Sequence, residues 1–255
     1  MQLTDTHAHL YLPQFDDDRE EAVLRALENG VTRILLPNID AASVEPMLQL
    51  ATHYPGICFP MIGLHPTSVK EDYREQLAAM KAWLEKEKFY AIGEVGIDLY
   101  WDKSKLKEQE EAFSYQVELS ITNDLPLVIH CRESFNETVT ILERYRGENI
   151  KGVFHAFSGT SEQAKKVINM GFLLGIGGVV TFKNGGIDKI LAETGPSRLL
   201  TETDSPYLAP APFRGKRNEP SMIRYTAEKI AEFCRLPLSE IAAITTGNAE
   251  TLFKI

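Results

Sequence analysis

The chain has 255 residues, 44% of them hydrophobic and 25% charged, an ordinary globular balance with no apolar run long enough to read as a membrane span. Its net charge of −9, from 36 acidic and 27 basic residues, excludes a protein that coats nucleic acid non-specifically but not a nuclease, whose groove alone must be positive. The first strand-like run follows the initial Met almost at once, and Cys58, Cys131 and Cys234 form no CxxC pair; a cytoplasmic protein with reduced thiols and no signal peptide is expected.

Strands are expected at residues 3–10, 33–39, 58–64, 90–97, 127–131, 152–157, 172–177 and 199–202. Several are near-continuous apolar runs, the pattern of parallel strands buried on both faces. Helical patterns fill the intervals. Acids at 16–18 lead into Val23, Leu24 and Leu27, and Asn29-Gly30 ends that helix. Ser43 is the expected N-cap of a helix over 44–53. Tyr73, Leu77, Met80 and Leu84 form a helical stripe, and a long polar helix spans 106–123. Capping boxes are expected at Ser134–Glu137 and Thr160–Gln163. Further helices are expected over 187–193, 220–235 and 238–246, with a last turn from Asn248. Strand and helix alternating eight times over this length predicts a (β/α)8 TIM barrel, which needs about 250 residues, as a single domain over 1–255. A doubly wound open sheet is the alternative, and it would gather ligands at one crevice.

Chemistry collects at the expected strand ends. His7 and His9 in LTDTHAHL are two residues apart, which on a strand places both rings on one face, with Asp5 one step deeper. A lone histidine at a strand end is more often packed core. This pair is joined by His130 in PLVIHCR and His155 in GVFHAFSG, so four of the six histidines sit at strand ends. Glu94 lies in the otherwise apolar run YAIGEVGID, where an unpartnered carboxylate is costly. Asp204 in LLTETDSP ends the last strand and alone would read as a turn former. Strand ends on one rim of a barrel converge, so these six residues are the expected metal ligands of a hydrolase.

Groups for a substrate lie on the same rim. Arg214-Gly-Lys216-Arg217 is the densest basic run and follows the eighth strand, where barrels often bind phosphate. Arg132 follows His130 by two residues and shares its face. Tyr100 and Trp101, just past Glu94's strand, suit either stacking on unpaired bases or packing as a lid. The glycines at 175, 177 and 178 offer backbone amides or merely permit tight packing. His53, near a helix end, has only a structural reading.

The segments DTHAHL, GLHP, GEVGIDLYWD, HCRES, HAFSG, ETDSPYLAP and RGKRNEP occur in order between residues 5 and 220. Together they resemble the TatD family of metal-dependent deoxyribonucleases, within the amidohydrolase-like superfamily. Many members of that superfamily carry a carbamylated lysine where this chain has Glu94. The resemblance implies one metal held by His7, His9 and Asp204, a second held by His130 and His155, and Glu94 bridging. It implies magnesium or manganese for activity, with zinc also able to occupy a site rich in imidazole. It places His65 of GLHP on the scissile phosphate or leaving oxygen and not on a metal, and makes Glu94, Asp204 and His65 the catalytic set. The expected substrate is DNA, cut from single-stranded ends in the 3′-to-5′ sense, with no membrane and no obligate protein partner. The alternatives are hydrolysis of a small ester, lactone, amide or organophosphate at the same site, and a non-catalytic metal- or nucleic-acid-binding barrel.

Overall fold

Strands and helices alternate along the computed structural model, which describes residues 1–183 and 185–255. The strands are β1 (Leu3–Asp5), β2 (Val31–Leu36), β3 (Cys58–Pro60), β4 (Ile92–Asp98), β5 (Leu127–Arg132), β6 (Gly152–Phe154), β7 (Leu173–Ile176) and β8 (Leu199–Thr201). Between them run α1 (Arg19–Glu28), α2 (Val44–His53), α3 (Tyr73–Leu84), α4 (Leu106–Asn123), α5 (Phe135–Arg144), α6 (Ser161–Asn169) and α7 (Ile187–Thr194), and α8 (Ile223–Cys234) and α9 (Leu238–Phe253) follow β8. All ladders are parallel, in the orders β1-β2-β3 and β4-β5-β6-β7-β8. Single bridges join the two sets, Ile62 to Ile92 and Ala8 to Ser205. Thr6 N–H also donates to Thr201 O at 3.1 Å and Gly93 N–H to Ile62 O at 2.8 Å. The sheet is therefore a closed eight-stranded TIM barrel.

The barrel interior explains where the ligands stand. Leu35, Phe59, Ala91, Val128, Val153, Leu173 and Leu200, one from each of seven consecutive strands or the residue before it, form a buried apolar layer. Leu252 and Phe253 of α9 join that layer. Side chains on a strand alternate faces, so two residues on from the plug the same inward face carries chemistry. Val128 is followed by His130 and Arg132, Val153 by His155, and Leu200 by Glu202 and Asp204. Strand β4 breaks this step: its pairing with β5 skips Glu94 between Gly93 and Val95. That bulge turns Glu94 inward together with Gly96 and Asp98. Gly96 has φ +137°, and a Cβ there would overlap the His130 carbonyl oxygen, so only glycine lets β4 and β5 approach this closely.

Several boundaries differ from expectation for identifiable reasons. The first strand stops at Asp5, and Ala8, whose N–H still donates to Leu35 O of β2 at 3.0 Å, bridges Ser205. Ser43 does not cap α2; it closes a reciprocal box with Asp40 one turn earlier. Ser134 makes no capping bond to α5 because its hydroxyl donates to Ile97 O at 2.6 Å. The box at Thr160 and Gln163 is present. The last two expected helical pieces are one helix, α9, carried on until Leu252 and Phe253 are buried.

Candidate metal centre

Glu94, 3% exposed, is the hub of the rim. Its Oε1 lies 2.8 Å from His130 Nδ1, 3.0 Å from His155 Nε2 and 3.2 Å from His65 Nε2. Its Oε2 lies 3.1 Å from His7 Nε2 and 3.7 Å from His9 Nε2. Asp204 Oδ1 is 3.7 Å from both His7 Nε2 and His9 Nε2. All six residues read as ligands from the sequence thus come together, with His65 beside them. Asp204 has a left-handed φ of 57°, a region that Asp tolerates better than most residues. Its N–H donates to His7 O at 2.8 Å, tying the β8 end to the segment after β1.

Charge is distributed unevenly. Burial disfavours the Glu94 carboxylate, but the imidazoles of His155, His65 and His7 and the His130 hydrogen bond outweigh it and hold its pKa well below the usual range. His7 and His155 stack at 3.9 Å between centroids. Burial and the His155 charge push His7 down, whereas for His155 the Glu94 and Glu202 carboxylates overcome burial and push it well up. His130 is also raised, against burial, by its hydrogen bonds to Asp98 and Glu94. Asp204 is lowered, again against burial, by His9, His155 and His7.

The donor set fits divalent cations. Among the described residues no lysine or arginine pairs with Glu94 or Asp204; both carboxylates meet only imidazoles. Ligands each about 2.0–2.2 Å from a cation stand roughly 3 Å apart, and the nitrogen–oxygen separations here run from 2.8 to 3.7 Å. Three groups have ligand atoms mutually within 4.8 Å: His7, His155 and Asp204; His7, His9 and Glu94; and His65, Glu94 and His130. The last includes His65, which the sequence resemblance places on substrate.

Residues missed in the sequence stand behind the ligands. Asp98, 1% exposed, meets His130 Nε2 at 2.9 Å and accepts the Tyr100 and Trp101 N–H groups at 2.9 and 3.2 Å. Its signal was the two-residue step from Glu94 through Gly96. Glu202 faces His155 Nδ1 at 3.3 Å and accepts the Ala156 N–H at 2.5 Å. A Cβ on Gly175 would overlap the Glu202 carboxylate, so that glycine serves close packing. The Tyr11 hydroxyl lies 3.0 Å from His9 Nδ1 and donates to Pro37 O at 2.6 Å. Asp5, which the sequence already placed one step deeper than His7, is fully buried against Thr203, and burial raises its carboxyl from 3.8 to about 8.

Above the ligands opens a cavity of about 420 Å³, lined by His9, His65, Glu94, Asp98, His130, His155 and Asp204 and rimmed by Trp101, Arg132 and Tyr207. The Arg132 guanidinium lies 3.8 Å over the Tyr100 ring and 5.6 Å from Trp101, a cationic and aromatic edge on one side. The expected basic run behaves otherwise. None of Arg214, Lys216 and Arg217 lines the cavity. Arg214 rests over Phe182 at 4.2 Å and Lys216 over Phe213 at 5.8 Å. Arg217 is bound by both Asp18 oxygens at 2.5 and 2.7 Å and by Gln14 O at 2.8 Å. Arg217, read from the sequence as a substrate contact, thus pairs in the structure with an acid from the other end of the chain. Asn218 braces the same loop through Thr203 O and Tyr207 O.

Residues 4–254 match the family described as TatD related DNase. The chain belongs to this TatD-related family. It is 43% identical over 254 residues to YabD, an uncharacterized metal-dependent hydrolase of Bacillus subtilis (strain 168), covering 99% of both chains. It is 32% identical over 257 residues to the 3′-5′ ssDNA/RNA exonuclease TatD of Pantoea vagans (strain C9-1), covering 98% of this chain and 99% of that one. The crystal structure of YjjV, a TatD homologue from Escherichia coli K12, superposes with a TM-score of 0.93 at 30% identity, covering 99% of this chain and 98% of that one. As a TatD-family protein the chain is a metal-dependent hydrolase. Among the described residues no helix is long and apolar enough to cross a membrane.

Proposed function

We propose that this TatD-family hydrolase is a two-metal deoxyribonuclease that shortens single-stranded DNA from its 3′ end. The observation that carries the reading is the Glu94 carboxylate, shared by imidazoles from opposite sides of the barrel beneath a cavity rimmed by Arg132 and Trp101. His7, His9 and Asp204 would hold one cation, His130 and His155 the other, with Glu94 between them. Two divalent cations, when bound, supply an acidified water and a clamp for the attacking and leaving oxygens of a phosphodiester.

The chain's own groups do the rest. Asp204 is the group placed to orient the attacking water and take its proton. His65 faces the centre from the β3 end and is placed to hydrogen-bond the scissile phosphate or the leaving oxygen. Arg132 provides a forked contact to a phosphate, and Trp101, 70% exposed, offers a face on which an unpaired base stacks. The single-strand preference, the polarity and the choice of magnesium or manganese are supported by the likeness to the Pantoea exonuclease and by the sequence motifs.

The test is metal removal followed by magnesium, manganese or zinc singly, with DNA labelled at either end beside simple esters and lactones. Metal-dependent shortening from the 3′ end, abolished by Glu94→Ala and by Asp204→Ala, is the expected result. Ester turnover with intact DNA would replace the proposal with small-molecule hydrolysis, and tight DNA binding without turnover would replace it with a binding role.

A further inference from the structure

We infer that Tyr11, Asp98 and Glu202 are positioning residues that fix His9, His130 and His155 with a bare nitrogen toward the centre, while the Thr67 backbone fixes His65 the opposite way, with an N–H toward it. The inference rests on the metal-centre reading. It sorts neighbouring imidazoles into cation ligands and a hydrogen-bond donor by what stands behind each ring.

A neutral imidazole carries one proton, so its outer partner decides which nitrogen faces inward. Behind His130, Asp98 Oδ2 lies 2.9 Å from Nε2, and the backbone N–H groups of Tyr100 and Trp101 already hold Asp98 Oδ1 as an acceptor. When the ring gives up a proton to a cation, Asp98 keeps the one on Nε2, and Nδ1, 2.8 Å from Glu94, is the nitrogen left bare. Behind His155 the arrangement is reversed: Nδ1 faces Glu202 at 3.3 Å, off the straight line of a hydrogen bond, and Nε2 faces Glu94 at 3.0 Å. Behind His9, Tyr11 has one hydroxyl proton and gives it to Pro37 O at 2.6 Å. The tyrosine oxygen must then accept from His9 Nδ1, 3.0 Å away, which leaves His9 Nε2 bare.

His65 breaks the pattern. Its Nδ1 accepts the Thr67 N–H at 3.1 Å, with the Thr67 hydroxyl at 2.7 Å. The single ring proton is therefore on Nε2, the nitrogen 3.2 Å from Glu94. Distance alone groups His65 with Glu94 and His130 as a ligand cluster, but a protonated nitrogen cannot bind a cation. An N–H there donates to an anionic oxygen. His7 Nδ1 has no partner among the described residues, so nothing behind that ring assigns it.

The assignment is read by NMR of the full chain with isotope-labelled histidine rings, loaded with zinc. Protons on Nε2 of His130 and on Nδ1 of His155 and His9, with His65 protonated on Nε2 and not metal-bound, are the expected result. A zinc-bound His65, or His130 bound through Nε2, overturns it. Zinc titration then tests the supports. Asp98→Ala should weaken binding about 10- to 100-fold, and Asp98→Asn should not recover that loss, because the Tyr100 and Trp101 N–H groups take its one oxygen and its amide N–H then faces His130 Nε2. Equal affinity in the wild type and Asp98→Ala removes Asp98 from the proposal. Ring shifts do not depend on DNA cleavage, so an enzyme inert toward DNA would undo the proposed function and leave the tautomer assignment standing.

Discussion

The metal centre and the cluster of Arg25, Asp18, Arg217 and Glu219 both gather charge from distant parts of the chain, and they differ in how that charge is satisfied. In the cluster, two guanidiniums meet two carboxylates. Arg25 bonds Asp18 at 2.7 Å and Glu219 at 2.7 Å, and Arg217 closes on Asp18. Every charge has an opposite, and the result ties α1 to the loop after β8. In the centre, imidazole nitrogens converge on carboxylates with no lysine or arginine among them in the described residues. The first cluster is complete as protein, whereas the second presents a donor set that fits cations. A group of charges that is internally balanced is structural, and one whose lone pairs converge is a site.

The largest break in this contrast should come from Glu94→Gln. The variant keeps the shape of the hub but removes the charge shared by both halves of the centre. Cleavage of DNA should fall about a thousand-fold or more, and bound metal should drop. Elemental analysis beside single-turnover kinetics reads both; full activity with unchanged metal content would mean that the hub is elsewhere. Arg217→Ala should act on the other region alone. It removes one of the two guanidiniums on Asp18 and the donor to the Gln14 carbonyl, so unfolding free energy should fall by about 1–2 kcal/mol, a partly exposed network being worth less than a buried one. DNA affinity and its salt dependence should not change, and a weakened affinity would return Arg217 to the substrate path. Arg132→Ala is the converse case. It should raise KM about 10-fold and reduce the salt slope by about 1 while the denaturant midpoint stays put. An unaltered slope would take Arg132 off the phosphate.

The contrast also separates what sequence could disclose from what it could not. His130, His155 and Asp204 were legible because parallel strands keep a two-residue period from plug to rim. Glu94 breaks that period through a bulge and was found by its oddness in an apolar strand and by family resemblance. Asp98 sat in view within GEVGID, but its partner is a histidine 32 residues later. The partner of Arg217 was hidden for the same physical reason. A basic run shows its own charge and not the acid that neutralises it, and Asp18 lies 199 residues away. The fold was the easier problem, since alternation and apolar periodicity are local. Helix ends were harder: Ser134 carries a capping pattern, yet a strand carbonyl takes its hydroxyl.

Asp5 sharpens the comparison from the other side, as a buried carboxyl beside the centre that is complete without a cation. Burial, with no compensating positive group, raises it from 3.8 to about 8, although the bonds from Thr203 and the His7 N–H pull it back partway. It is therefore a neutral acid in the folded protein near neutrality, and its Oδ2 is 2.5 Å from the Thr203 hydroxyl. The unfolded chain releases this proton near 3.8 and the folded chain near 8. The stability it contributes is full below the first value and is lost as pH rises toward the second. Asp5→Asn places an amide N–H where the acid proton was and keeps an oxygen for the Thr203 and His7 N–H groups. At about pH 5 the exchange should alter unfolding free energy by less than about 1 kcal/mol, the smallest of the four effects. As pH rises the variant's stability should fall less steeply than the wild type's, because it has no proton to lose. Titration of the metal ligands is common to both proteins and cancels in the difference. Urea unfolding of the pair across a pH series checks this, and parallel curves would mean that Asp5 is ionised and belongs electrically to the unfinished centre.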